Sequence, residues 1–82
     1  MEQGTQWPQG IDRPEGRYAN SFTVGHNAFE FVFDFGQFYS EGERARVHTR
    51  IVTSPSYAKA FLETLRESIA HYEETFGSLA GD

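Results

Sequence analysis

From Phe29 to Phe35 every second residue is a phenylalanine, with Glu30, Val32 and Asp34 between them. That alternation has the period of a β-strand with one buried face, and it predicts a strand over Ala28–Phe35. A weaker alternation precedes it in YANSFTV, Tyr18–Val24, where Tyr18, Phe22 and Val24 share a side with Asn20, and Ala19, Ser21 and Thr23 take the other. A third follows in ARVHTRIVT, Ala45–Thr53. There Val47, Thr49 and Ile51 face one way and Arg46, His48, Arg50 and Val52 the other. Gly25 with His26 is a candidate two-residue hairpin turn, and Gly25–Ala28 is the longer alternative. The polar stretch Gly36–Arg44 forms the second connection, with Gly42 free to take positive φ.

The period then changes. Ala58, Phe61, Leu62, Leu65, Ile69, Tyr72 and Phe76 fall on one stripe at helical spacing. Ser54 suits the N-cap, Pro55 the first helical position and Gly77 the C-cap. A helix of about 22 residues spans roughly 33 Å, and a strand of about eight residues spans roughly 27 Å. The match in length predicts that the helix lies along the sheet. The expected fold is therefore α+β, β-β-β-α: a three-stranded antiparallel sheet in order 1-2-3, followed by one C-terminal helix packed on one face. Phe29, Phe31, Phe33 and Phe35 would be dry beneath that helix. Each contributes roughly 1.5–3 kcal/mol when buried, enough for four to dominate a small core. The expected register of the second hairpin opposes Asp34 to Arg46, Glu30 to Arg50 and Val32 to His48. On the other face it opposes Phe33 to Val47 and Phe29 to Ile51.

Residues 1–16 contain Gly4, Gly10, Gly16, Pro8 and Pro14, with Met1, Trp7 and Ile11 the only strongly apolar residues. This segment reads as a flexible N-terminal tail, 17–77 as the domain and 78–82 as a C-terminal tail. A chain of 82 residues holds one small domain, and with no cysteine it has neither disulfides nor thiolate metal sites. Such a core needs either unusual aromatic content or a second chain. The sheet leaves strands one and three as edges and its second face open, which predicts a homodimer or higher homo-oligomer. A net charge of −5 disfavours nucleic acid as a partner. No stretch is apolar for long enough to span a bilayer, and the first residues lack the basic region and apolar run expected of an export signal. With the absence of cysteine, this predicts a cytoplasmic protein without membrane contact.

The runs HTRIVTSPSYAKAFLETL and YEETFG, with YAN at Tyr18–Asn20 and FDFG at Phe33–Gly36, resemble family 3467 of the domains of unknown function. These are small bacterial and archaeal proteins. The resemblance covers about Tyr18 to Gly77 and leaves the N-terminal tail outside. Its most distinctive part runs through Arg50-Ile51-Val52, Ser54-Pro55 and Ala58-Lys59 to Tyr72-Glu73 and Phe76-Gly77. It implies no reaction, ligand or catalytic residue.

The residues themselves offer little chemistry. His26, His48 and His71 lie in a turn, a strand and a helix, and a metal site needs three or four convergent ligands, so no metal or other cofactor is expected. His71 and Glu74 sit one helical turn apart, but a histidine near a helix C-terminus already has a favourable dipole. Ser54 is explained by capping, and no phosphate loop, catalytic carboxylate pair or hydrolase elbow is present. The expectation is a protein that is not an enzyme. Lys59 reads as a surface lysine.

Candidate contact residues remain. Arg46, His48 and Arg50 form a basic stripe that either meets an anion or pairs with Asp34 and Glu30. Trp7 in the tail is a candidate anchor for an unknown protein partner. Phe38 and Tyr39, two aromatics in a polar connection, form a contact surface or cover one end of the core. The leading expectation is a small non-catalytic oligomeric interaction or scaffold module. The alternatives are a nucleic-acid-associated protein using the basic stripe and a holdase-like chaperone using exposed aromatics.

Overall fold

The computed structural model describes residues 14–40 and 42–79. The chain forms β1 (Ser21–His26), β2 (Phe31–Gln37), β3 (Arg46–Thr53) and α1 (Pro55–Phe76). The strands make one antiparallel sheet in the order β1-β2-β3, so the β-β-β-α arrangement is the one expected. Most of the segment expected to be a flexible tail, including Trp7, lies outside the described residues, as do Ala80–Asp82.

Local chemistry sets both ends of α1. The Ser54 hydroxyl accepts a hydrogen bond from the Tyr57 amide at 3.1 Å, and the Ser54 carbonyl accepts from the Ala58 amide at 2.9 Å. A cap of this kind contributes about 1 kcal/mol. At the other end Gly77 takes φ 103°, and its amide donates to the Glu73 carbonyl at 2.9 Å. Glycine adopts that positive φ without the steric cost other residues meet.

The first hairpin turns later than the glycine at position 25 suggests. Asn27 supplies the turn instead. Its side-chain oxygen accepts from the amides of Phe29 (2.8 Å) and Glu30 (2.9 Å), while its own amide donates to the Glu30 carbonyl. Asparagine builds turns by this self-bonding, and here it outcompetes the glycine signal. β1 therefore extends to His26, and Phe29 sits at the turn rather than in β2. It is 85% exposed, which corrects the expectation that it is buried.

The second hairpin is also displaced from the expected register. Asp34 opposes Arg50, Phe33 opposes Ile51 and Val32 opposes Val52, in place of the Arg46, Val47 and His48 partners anticipated for them. Glu30 is held in the Asn27 turn and is not available to pair with Arg50 in the ladder. The observed register gives one two-pronged ion pair and sets β-branched residues opposite Val32 and Phe33, both favourable cross-strand combinations.

The ladder then shifts between Phe35 and Gly36. Phe35 pairs with Thr49, but Gly36 pairs with Val47, so His48 is the extra residue of a β-bulge. Gly36 makes this possible and is the single buried residue among those described. A Cβ at that position would lie 2.6 Å from the Arg46 carbonyl oxygen and 3.0 Å from the Val47 Cα.

α1 lies on the phenylalanine side of the sheet. The Phe33 and Phe61 rings meet there with centroids 5.5 Å apart. The helix does not seal that side. Phe31, Phe33 and Phe35 are half-buried, and Phe61, Leu62, Leu65, Ile69, Tyr72 and Phe76 along the helix stripe are all exposed. The dry face expected beneath the helix is thus absent among the described residues. The cause is the junction. Ser54 alone separates β3 from α1, whereas a strand-to-helix connection ordinarily takes about 2–6 residues. So short a link brings only the early turns of the helix near the sheet.

Substituting Gly36→Ala drives a methyl group into the backbone of β3. The expected loss is about 1–3 kcal/mol of stability, read from the urea unfolding midpoint. An unchanged midpoint would show that the bulge does not constrain this site.

Candidate interaction surface

The gap between sheet and helix is an open apolar groove. One part, about 500 Å³, is lined by Val24, Phe31 and Phe33 from the sheet and by Ala58, Phe61, Leu62 and Leu65 from α1. A continuation of about 420 Å³ adds Phe22 and Phe35. The alternation in β2 puts its phenylalanines on this side, and the register brings Phe22 and Val24 of β1 opposite Phe35 and Phe33. Phe22 and Phe35 meet edge to face at 5.9 Å, and His26 stacks on Phe31 at 5.3 Å. Such ring pairs stiffen the sheet side of the groove. Its charge is low: Lys59 lines one end, and the Asp34 carboxylate is turned to the other face of the sheet, where it pairs with Arg50.

The basic stripe is not a stripe in the folded chain. The bulge swings His48 to the phenylalanine side, where it lines a hollow with Phe35 and Thr49. Arg50 stays on the opposite side with Asp34 and Val32. His48 acts as a structural tie. Its Nε2 lies 2.9 Å from the Tyr18 carbonyl and its Nδ1 lies 2.7 Å from the Thr49 hydroxyl. A carbonyl only accepts, so Nε2 carries the proton, and in the neutral ring Nδ1 accepts from Thr49. Arg17 donates to the His48 carbonyl at 3.1 Å and closes the same corner.

Arg46 has its guanidinium carbon 5.4 Å from the centre of the Tyr39 ring, a cation–π contact. Phe38 is held by its amide, which donates to the Asn20 side chain at 2.9 Å, and its ring remains exposed. The candidate residues therefore divide into Arg46 with Tyr39, His48 with Tyr18 and Thr49, and Arg50 with Asp34. Trp7 lies outside the described residues. Among the described residues, no group of three or more His, Asp or Glu is placed to hold a metal ion, and no helix is long and apolar enough to cross a membrane.

The family described as protein of unknown function (DUF3467) matches residues 4–81. This chain belongs to that family. The DUF3467 match reaches beyond Tyr18–Gly77 at both ends, so most of the N-terminal segment is family sequence as well, contrary to the narrower span expected from the motifs. No curated protein and no solved structure matches the chain. Several of the motif residues have structural duties in this fold: Arg50 pairs with Asp34, Ser54-Pro55 starts α1, and Gly77 ends it.

The β2 phenylalanines and the helix stripe were expected to close on each other, whereas Phe61, Leu62 and Leu65 line an open groove and Ile69, Tyr72 and Phe76 lie exposed beyond it. A signal was present in the one-residue spacing between the end of the β3 pattern at Thr53 and Pro55.

Arg50 donates to both carboxylate oxygens of Asp34, from Nε and Nη2, at 2.8 Å each. These bonds hold the Asp34 carboxyl below its ordinary value of 3.8 against the opposing effect of desolvation, and Asp34 raises Arg50 in return. A depressed carboxyl stabilises the fold above its unfolded value, and the contribution is lost as pH falls through the folded value. Thermal unfolding followed by circular dichroism is expected to show native chain above Asp34→Asn near neutral pH, with the difference closing once pH drops below 3.8. A difference independent of pH would contradict the ion pair.

Proposed function

We propose that this chain is a small non-catalytic interaction or scaffold module that works as a homodimer or higher homo-oligomer. One observation carries the reading: an almost uncharged groove with an exposed aromatic helix stripe, in a chain whose described residues include only Gly36 as buried. Apolar patches of this extent mark contact surfaces. The basic residues of β3 support the same choice, since Arg46, His48 and Arg50 each have a partner within the chain, and His48 and Arg50 lie on opposite faces of the sheet. That dispersal disfavours the basic-stripe reading of nucleic-acid contact. A bacterial cytoplasmic setting belongs to the proposal and rests on the cysteine-free sequence and the family resemblance.

A holdase-like chaperone is the second reading, favoured by the same exposed aromatics. The two differ in what covers the groove. A module that assembles with itself hides its aromatics, whereas a holdase keeps them available for clients.

Light scattering at micromolar concentration, with a hydrophobic dye titrated in parallel, separates these readings. The module is expected to show a mass that is a multiple of 9.3 kDa and little dye binding. A stable monomer contradicts it. An oligomer with strong dye binding that suppresses client aggregation favours the holdase.

A further inference from the structure

Among the described residues, two apolar surfaces have no partner within the chain. One is the groove side of the sheet, where Phe22 is 65% exposed. The other is the far half of α1. The helix contribution to the groove ends at Leu65, and Ile69, Tyr72 and Phe76 continue the stripe beyond it. From Leu65 to Phe76 is roughly 16 Å of helix. Tyr72 and Phe76 touch each other, with ring centroids 4.9 Å apart, while Phe76 is 72% exposed. A helix stripe and a sheet face are ordinary packing partners. This chain carries both and leaves both open.

We propose that the far half of α1 lies in the groove of a second copy, whose own α1 lies in the groove of the first. The inference rests on the oligomeric reading above and specifies its interface. The arrangement is reciprocal: the residues that one chain donates are those it receives. It therefore closes at two chains about a twofold axis and builds no open polymer.

Area and charge agree with this occupant. Phe22, Phe61, Tyr72 and Phe76 are 65%, 46%, 47% and 72% exposed. At roughly 150–250 Å² for each aromatic, they offer about 350–570 Å² to a partner. Val24, Leu62, Leu65 and Ile69 bring the total near the roughly 800 Å² that one partner contributes to a stable complex. Ile69, Tyr72 and Phe76 carry no charge, so their entry into the groove strands no ion away from water. Joining two chains through the β1 edge would satisfy backbone groups but leave the groove and the helix stripe in water. Helix exchange covers both at once.

The absence of native cysteine permits a single nitroxide at Glu74→Cys, an exposed position in the last turn of α1 that points away from the Phe76 stripe and so leaves it intact. The labelled chain is refolded together with native chain carrying ¹³C-methyl valine, and paramagnetic broadening is read in the native chain. Val24 lies on the groove side, whereas Val32 and Val52 lie on the opposite face. The expected result is a several-fold greater intensity loss at the Val24 methyls than at Val32 or Val52. Equal or reversed losses, or no broadening in a sample that scatters as an oligomer, would overturn the exchange and leave the oligomeric module standing. A monomer by light scattering would overturn both.

Discussion

Ser54 is the single residue between the end of β3 and the start of α1, and it governs what the helix can reach. The phenylalanines of β2 need cover, because a chain this small has little else to bury. Each aromatic taken out of water contributes roughly 1.5–3 kcal/mol, so covering three or four of them is comparable to the whole stability of a small domain. The short link brings Phe61 to Phe33 and leaves the later turns of α1 free. Among the described residues, the groove side of the sheet and the later part of the helix stripe are therefore both left open.

The bulge between β2 and β3 settles what the polar residues do. Gly36 lets the β3 backbone approach closely, His48 becomes the extra residue, and the alternation of β3 is reset there. His48 is committed to the corner with Tyr18 and Thr49, and Arg50 to Asp34 across the sheet. Surface ion pairs contribute little energy on their own. The Asp34–Arg50 pair does, however, favour a register in which Phe33 meets Ile51. Charge on β2 and β3 serves alignment, and the open surface lies on the apolar side.

How far the sequence could be read follows from the range of each interaction. The ends of α1 were legible because Ser54, Pro55 and Gly77 act on backbone groups within one turn of themselves. The three strands and their order were legible from alternation. The register of the second hairpin was not, because the expected and observed pairings of β2 with β3 keep the same faces together and differ only in which cross-strand partners meet. Phe29 was misplaced because Asn27 outcompetes Gly25 for the first turn: the alternation passes through Phe29, while the hydrogen bonds to Asn27 take it out of the strand. Alternation also identifies which side of a strand is apolar without saying what lies over it. Hence the groove residues were recognised as apolar and assigned to a core. Of the contact residues, Tyr39 and Arg46 do meet, and the basic stripe was divided by a bulge that only the paired strands reveal.

The central claim is that burial of the phenylalanine side requires a second chain. Folding and association are then one equilibrium, and the apparent stability depends on chain concentration by mass action. Thermal unfolding measured by circular dichroism across a hundredfold range of concentration tests this directly. The account predicts a midpoint that rises steadily with concentration. A cooperative transition whose midpoint does not move would mean that a single chain covers its own groove, and would contradict it.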